Sequence, residues 1–178
     1  LFKHTAIYQD KEFFNNHFGK YPVIFLTLKD LREPTFDRFI ENLANLLSDE
    51  ITKYQEAIDK IDGFQIERKI LNKILDSTFS IVDLEKSLKA LSTILTSCYN
   101  QAPIILIDEH DTPIITSWLK DYYFEAIEFF RSFFGNVFKD NDLNVKKALL
   151  TGIFRVSGES MFSGLNNLKY ITILDNDL

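Results

Sequence analysis

Cysteine is nearly absent: Cys98 is the only one among 178 residues, so no intrachain disulfide can form and a disulfide scaffold is excluded. The lone thiol points to a reducing, intracellular compartment, cytoplasm or nucleus. Glycine (six) and proline (four) are scarce, which excludes collagen-like and low-complexity chains and any Gly/Ser linker. No apolar run approaches the ~18 residues that a membrane span requires. The opening Leu1-Phe2-Lys3-His4 lacks the charged segment and apolar stretch of a secretory signal. Excess positive charge is missing too. Twenty Lys and Arg against 26 Asp and Glu leave a net charge of -6, a balance that repels a phosphate backbone and gives no support to nucleic-acid binding. No Cys-His set has zinc spacing, and Ser157-Gly158-Glu159-Ser160 lacks the Gly-x-Ser-x-Gly of a nucleophile elbow. The only methionine is Met161, so the chain does not open with Met and reads as a piece of something longer.

What is present is core material. The chain is 46% hydrophobic, with seventeen Phe and seven Tyr. At this length a domain buries roughly 70% of its unfolded surface, so residues 1–178 read as one domain held by its own core. Phe13 to Lys20 reads as a polar-aromatic lead-in. Val23-Ile24-Phe25-Leu26-Thr27-Leu28, bounded by Pro22 and Lys29-Asp30, reads as a strand buried on both faces, as in parallel sheets. Thr35 can cap a helix whose apolar stripe is Phe36, Phe39, Ile40, Leu43, Leu46 and Leu47, running towards Ile58. Asp62-Gly63 breaks it, and a second helix follows at about Glu67 to Leu75. Asp83 can cap a third, with Leu84, Leu88, Leu91, Leu95 and Cys98 on one face, which makes Cys98 a core residue. Pro103 to Ile107 is a second buried strand, Tyr123 to Phe138 a long helix, Val145 to Leu150 a third strand, and Tyr170 to Leu174 suggests a fourth. Alternating helices and apolar strands give an α/β class with a mainly parallel sheet.

The strongest chemical signal is Ile104-Ile105-Leu106-Ile107-Asp108-Glu109, in which two carboxylates emerge at a strand's C-terminal end, where open α/β sheets bind ligands. This is the Walker B pattern: Asp108 fits a Mg²⁺ holder acting through water, and Glu109 fits the acid that orients or deprotonates an attacking water. Asp111 could add to the metal shell or cap the turn before Pro113, and His110 reads as a hydrogen-bonding residue rather than a ligand. Leu149-Leu150-Thr151-Gly152 ends a neighbouring strand. Thr151 is placed to sense a γ-phosphate or the lytic water, and the guanidinium of Arg155 could pair with phosphate oxygens. Alternatively these residues form an ordinary strand terminus and salt bridge. No G-x-x-x-x-G-K-[ST] cradle accompanies them, since Gly19-Lys20 is followed by Tyr21 and position 14 is Phe. Asp140-Asn141-Asp142-Leu143-Asn144 lacks the Gly and Glu that would complete an EF-hand loop.

Phe18 to Leu26, Leu106 to Ile114, Leu150 to Ser157 and Phe162 to Leu168, in this order and spacing, resemble the AAA-ATPase-like domain, which is typically joined to a C-terminal PD-(D/E)XK nuclease-like region. The resemblance runs nearly end to end. It implies a three-layer P-loop NTPase fold, with Asp108 and Glu109 as the Walker B acids and Thr151 and Arg155 at a sensor-like strand end. Mg²⁺ and ATP are the implied cofactors of the complete domain, and Asp111 and Phe162 to Leu168 are signature residues. Family members carry the Walker A strand and loop upstream of the position matching Leu1, so these, like the nuclease-like region, are expected to lie outside the chain. With the Walker A strand set beside the Walker B strand, its loss would leave a gap or an open edge prone to self-association.

Three readings follow. The first is a partial ATPase module, inactive alone. The second is a DExD-type helicase fragment, because Asp108-Glu109-His110-Asp111 spells D-E-x-D, although Leu150-Thr151-Gly152 stands where Ser-Ala-Thr belongs. The third is a non-catalytic interaction domain, which an exposed aromatic patch at Phe129, Phe130, Phe133 and Phe134 would favour.

Overall fold

The computed structural model describes residues 2–139, 141–153, 161–162, 165 and 168–172. Its elements run α1 (Ala6–Gln9), α2 (Lys11–His17), β1 (Val23–Thr27), α3 (Phe36–Thr52), α4 (Gln55–Lys60), α5 (Gln65–Leu75), α6 (Ile81–Glu85), α7 (Ser87–Tyr99), β2 (Ile104–Asp108), α8 (Thr112–Leu119), α9 (Tyr123–Phe138) and β3 (Lys147–Leu150). The α/β class with a parallel sheet is as the sequence indicates. Part of the lead-in is helical, because Asp10 caps α2 by accepting the Phe13 N–H at 2.9 Å.

Thr35 caps α3 as expected, its hydroxyl accepting the Arg38 N–H at 3.4 Å. The helix ends at Thr52 rather than near Ile58. Leaving the helix there lets Tyr54 reach β1, where its phenol donates to the Val23 carbonyl at 2.6 Å and accepts the Val23 N–H at 3.2 Å. Ile58 still enters the core, carried by α4. The third expected helix is two. Ser80, not Asp83, is its N-cap, and Asp83 sits three residues on, completing a capping box that returns a bond to the Ser80 N–H at 2.9 Å. The α8 helix was not expected; Pro113 in its first turn suits a helix start.

The strands pair in parallel in the order β1-β2-β3, with Val23 opposite Ile104, Thr27 opposite Asp108, and Ile104 opposite Lys147. Ile24, Leu26, Ile105 and Ile107 alternate onto one face and join a single core with Phe39, Leu43 and Leu47 of α3, Leu88, Leu91 and Leu95 of α7, and Phe130 and Phe134 of α9. Each such side chain contributes about 1.5–3 kcal/mol by leaving water. Phe129, Phe130, Phe133 and Phe134 are all buried, Phe130 and Phe134 stacking at 5.3 Å, so the aromatic patch considered for an interaction domain does not exist at these positions.

Burial on both faces of the strands is not what the structure shows. Val23 and Phe25, on the second face, remain 38% and 46% exposed, and Leu149 of β3 is 57% exposed. The helices that bury Ile24 and Leu26 have no counterpart over Val23 and Phe25, so the described residues form two layers, a sheet and its helical cover.

Nor does a gap lie beside β2 among the described residues. Among the described residues β2 is central and paired on both sides, and β1 and β3 form the edges. The β1 edge is occupied by side chains: Glu50, 2% exposed, accepts the Phe25 N–H at 3.1 Å and pairs with Lys53 at 2.5 Å, next to the Tyr54 bonds to Val23. The third strand begins at Lys147 rather than Val145. Residues 170–172 are not in a strand, and the rest of the expected fourth strand lies outside the described residues.

Candidate functional site at the strand ends

Four apolar residues carry β2 through the sheet and deliver Asp108 and Glu109 at its C-terminal end. The chain turns sharply there. Glu109 adopts φ +52°, a left-handed conformation that costs a non-glycine residue about 1–2 kcal/mol. The turn points the Glu109 N–H back at Asp108 Oδ1, 3.1 Å away, while its carboxylate Oε2 accepts the Thr112 hydroxyl at 3.1 Å.

Thr151 follows directly on β3, anchored by its N–H to the Ile107 carbonyl at 2.9 Å. Its hydroxyl donates to Asp108 Oδ1 at 2.5 Å. Two expected site residues, 43 positions apart, therefore meet at one carboxylate oxygen. Oδ2 of Asp108 accepts no hydrogen bond among the described residues. The Thr151 carbonyl accepts both the backbone N–H of His110 at 3.0 Å and its ring Nδ1–H at 2.8 Å, so His110 is a hydrogen-bonding residue with its proton on Nδ1.

Asp111 occupies the N-cap position of α8 but makes no side-chain cap bond. Its carboxylate, 2% exposed, turns instead towards the Thr151 segment, where Oδ2 accepts the Ile153 N–H at 2.9 Å. Gly152 is a steric requirement of this arrangement, since a Cβ there would lie 2.7 Å from Asp111 Oδ1 and 2.9 Å from the His110 ring. Arg155 lies outside the described residues. From the Phe162 to Leu168 segment, Phe162 is buried and packs its ring 5.8 Å from that of His110.

One residue of this neighbourhood carries no signal in the sequence. Thr27 ends β1 as the register partner of Asp108, and paired residues of adjacent strands face the same way. Its hydroxyl oxygen is buried without a hydrogen-bond partner, the one such side-chain atom among the described residues. A threonine within an apolar run reads simply as a β-branched strand former.

Among the described residues no group of three or more His, Cys, Asp or Glu could hold a metal, so an all-protein cage is lacking. Magnesium needs none: it retains several waters and takes one or two carboxylates, with oxygen donors throughout. Asp108 with its uncommitted Oδ2, Glu109, Thr151 and the orphaned Thr27 hydroxyl fit that requirement. Two surface grooves of about 390 and 460 Å³ lie elsewhere, the first against Lys89 and Lys139, the second against Asn100 and Lys146, and neither is lined by Asp108, Glu109 or Thr151. Cys98 packs against the core, its thiol donating to the Ala57 carbonyl at 3.4 Å, and burial pushes its pKa up, opposite to what a nucleophile needs.

No helix among the described residues is long and apolar enough to cross a membrane. No solved structure matches the chain significantly. A protein of Azotobacter chroococcum mcd 1 named "Uncharacterized protein in vnfD 5'region" is 36% identical over 70 residues, which is 39% of this chain and 14% of that protein. A family profile described as "Predicted AAA-ATPase" matches residues 1–162, taking in β1, the Asp108-Glu109 strand end and Thr151 alike. On that match, the chain belongs to the AAA-ATPase-like family.

Proposed function

We propose that these residues form the magnesium-binding part of a nucleotide-hydrolysing module, inactive until a phosphate cradle from outside them completes it. The observation that supports this most directly is the bond from the Thr151 hydroxyl to Asp108 Oδ1, which ties the end of β3 to the carboxylate at the end of the central strand. With Oδ1 so engaged, Asp108 presents Oδ2 for a hydrated cation. When bound, Mg²⁺ supplies neutralisation of the charge that develops on transferring phosphate oxygens. Glu109 lies one residue on, and on release from the Thr112 hydroxyl it accepts a hydrogen bond or proton from an attacking water. Thr151 holds Asp108 and registers the state of the site, while Arg155 pairs with phosphate oxygens through its planar fork. A covering layer on the exposed sheet face, the Walker A segment and a nuclease-like region in a longer parent belong to this reading, as does an intracellular setting.

Calorimetric titration with Mg²⁺-ATP and Mg²⁺-ADP tests it. The chain alone is expected to show neither saturable nucleotide binding nor turnover. In a longer form that carries the upstream loop, Glu109→Gln should lower turnover by roughly 10²–10⁴-fold while nucleotide binding persists. Undiminished turnover in that variant would remove Glu109 from the mechanism.

The non-catalytic interaction reading retains one favourable observation. Trp118, Leu119 and Phe124, at the turn between α8 and α9, are 67%, 71% and 79% exposed and form an apolar surface of the kind partners cover. Loss of a partner on Trp118→Ala, with hydrolysis unaffected in the longer form, would support it.

A further inference from the structure

The Thr27 hydroxyl is a buried polar group with nothing to bond, and such groups are rare because burial without a partner is unfavourable. Its position is informative. Thr27 stands directly across from Asp108 in the β1–β2 ladder, and the next rung, Leu28 N–H to the Asp108 carbonyl at 2.9 Å, fixes that pairing. On the other side of Asp108 stands Thr151, whose hydroxyl proton is donated to Oδ1. A row of three strand ends thus reads threonine, aspartate, threonine, with one hydroxyl committed and the other waiting. No protein group among the described residues competes for Thr27, and Oδ2 of its neighbour is also uncommitted. We infer that Thr27 is a ligand-contacting residue of the site, its hydroxyl hydrogen-bonding a water carried by a divalent cation on Asp108. The inference rests on the reading of Asp108 as the cation-holding carboxylate.

The same hydroxyl sets stability against binding, which gives a two-sided test. In the free chain Thr27→Val removes an unpartnered polar atom at nearly constant shape, so its melting temperature should equal or exceed that of the wild type. With Mn²⁺ as the probe, followed by water-proton relaxation, the same variant should bind about fivefold to tenfold more weakly. Thr27→Ser, which keeps the hydroxyl, should restore binding, and Asp108→Asn should abolish it. Unchanged Mn²⁺ affinity in Thr27→Val, against a wild type that binds and an Asp108→Asn variant that does not, would overturn the inference alone and leave the site reading standing. Failure of the wild type to bind Mn²⁺ would overturn both. A lowered melting temperature in Thr27→Val would show that the hydroxyl already has a structural partner, such as a trapped water, and would also refute the inference.

Discussion

Replacing Gly152 by alanine inserts one carbon where the structure has no room for it. The new Cβ would lie 2.7 Å from Asp111 Oδ1 and 2.9 Å from both Asp111 Cγ and the His110 ring, so something must yield by about 0.7 Å to reach ordinary contact. Neither side yields freely. Asp111 is 2% exposed and is held by the Ile153 N–H at 2.9 Å. The backbone of Thr151 is held by Ile107 and twice by His110. If Asp111 gives way, a charge-assisted bond worth about 1.5–3 kcal/mol is lost. If the surroundings deform instead, overpacking costs about 1–3 kcal/mol. The lower entropy of an unfolded chain bearing alanine returns about 0.4–1 kcal/mol. The net expectation is a loss of about 1.5 kcal/mol, equivalent to a fall of roughly 3–6 °C in Tm for a chain of this size. Urea denaturation and calorimetry measure it, and a double-mutant cycle identifies its origin. In an Asp111→Ala background the carboxylate is gone and only the His110 ring stays close, so the same glycine replacement should cost clearly less. A loss below ~0.5 kcal/mol in Gly152→Ala, or an equal loss in both backgrounds, would refute the argument.

Two further expectations concern parts of the fold away from the strand ends. Glu50→Leu strips the Phe25 N–H of its acceptor and bares the β1 edge; it should cost about 1–3 kcal/mol in urea denaturation and produce concentration-dependent association by sedimentation, and a monomeric variant of unchanged stability would contradict it. Asp83 is held at a pKa of about 2, first by the Lys73 ammonium at 2.9 Å and then by the Ser80 hydroxyl, so its stabilisation is complete above the ordinary carboxylate value of 3.8 and is lost as pH falls through about 2. With solvent screening discounted, Asp83→Asn should cost about 1 kcal/mol at neutral pH. The difference from wild type should disappear at the acid end, and its persistence there would show that charge is not the cause.

Much of this architecture is legible in the residues because local chemistry and tertiary role coincide. Thr35 caps the helix it precedes, the Phe39-Leu43-Leu47 stripe faces the core, and Ile104 to Ile107 is a strand with acids at its C-terminal end. Reading fails where tertiary contacts decide. Val23 and Phe25 are apolar and look buried, but exposure depends on what packs over them, which the run itself does not encode. Asp83 reads as the cap, and only the reciprocal bonds show that Ser80 begins the helix and Asp83 completes its capping box. Glu50 falls within an amphipathic helix beside Asp49, where a carboxylate reads as solvated, and only the arrival of β1 gives it a backbone amide to accept. Thr27 is hidden for the same reason: Asp108, the residue that makes its hydroxyl notable, lies across a strand pairing and far along the chain.

The two margins of the sheet are unequal, and this gives it a direction of growth. Along β1, the amides of Val23 and Phe25 are already taken by Tyr54 and Glu50, so an incoming strand has little to pair with. Along Lys147–Leu150 no comparable plug stands in the way among the described residues. A strand added to this sheet would therefore meet fewer occupied amides beside β3, one residue from the hydroxyl that hydrogen-bonds Asp108.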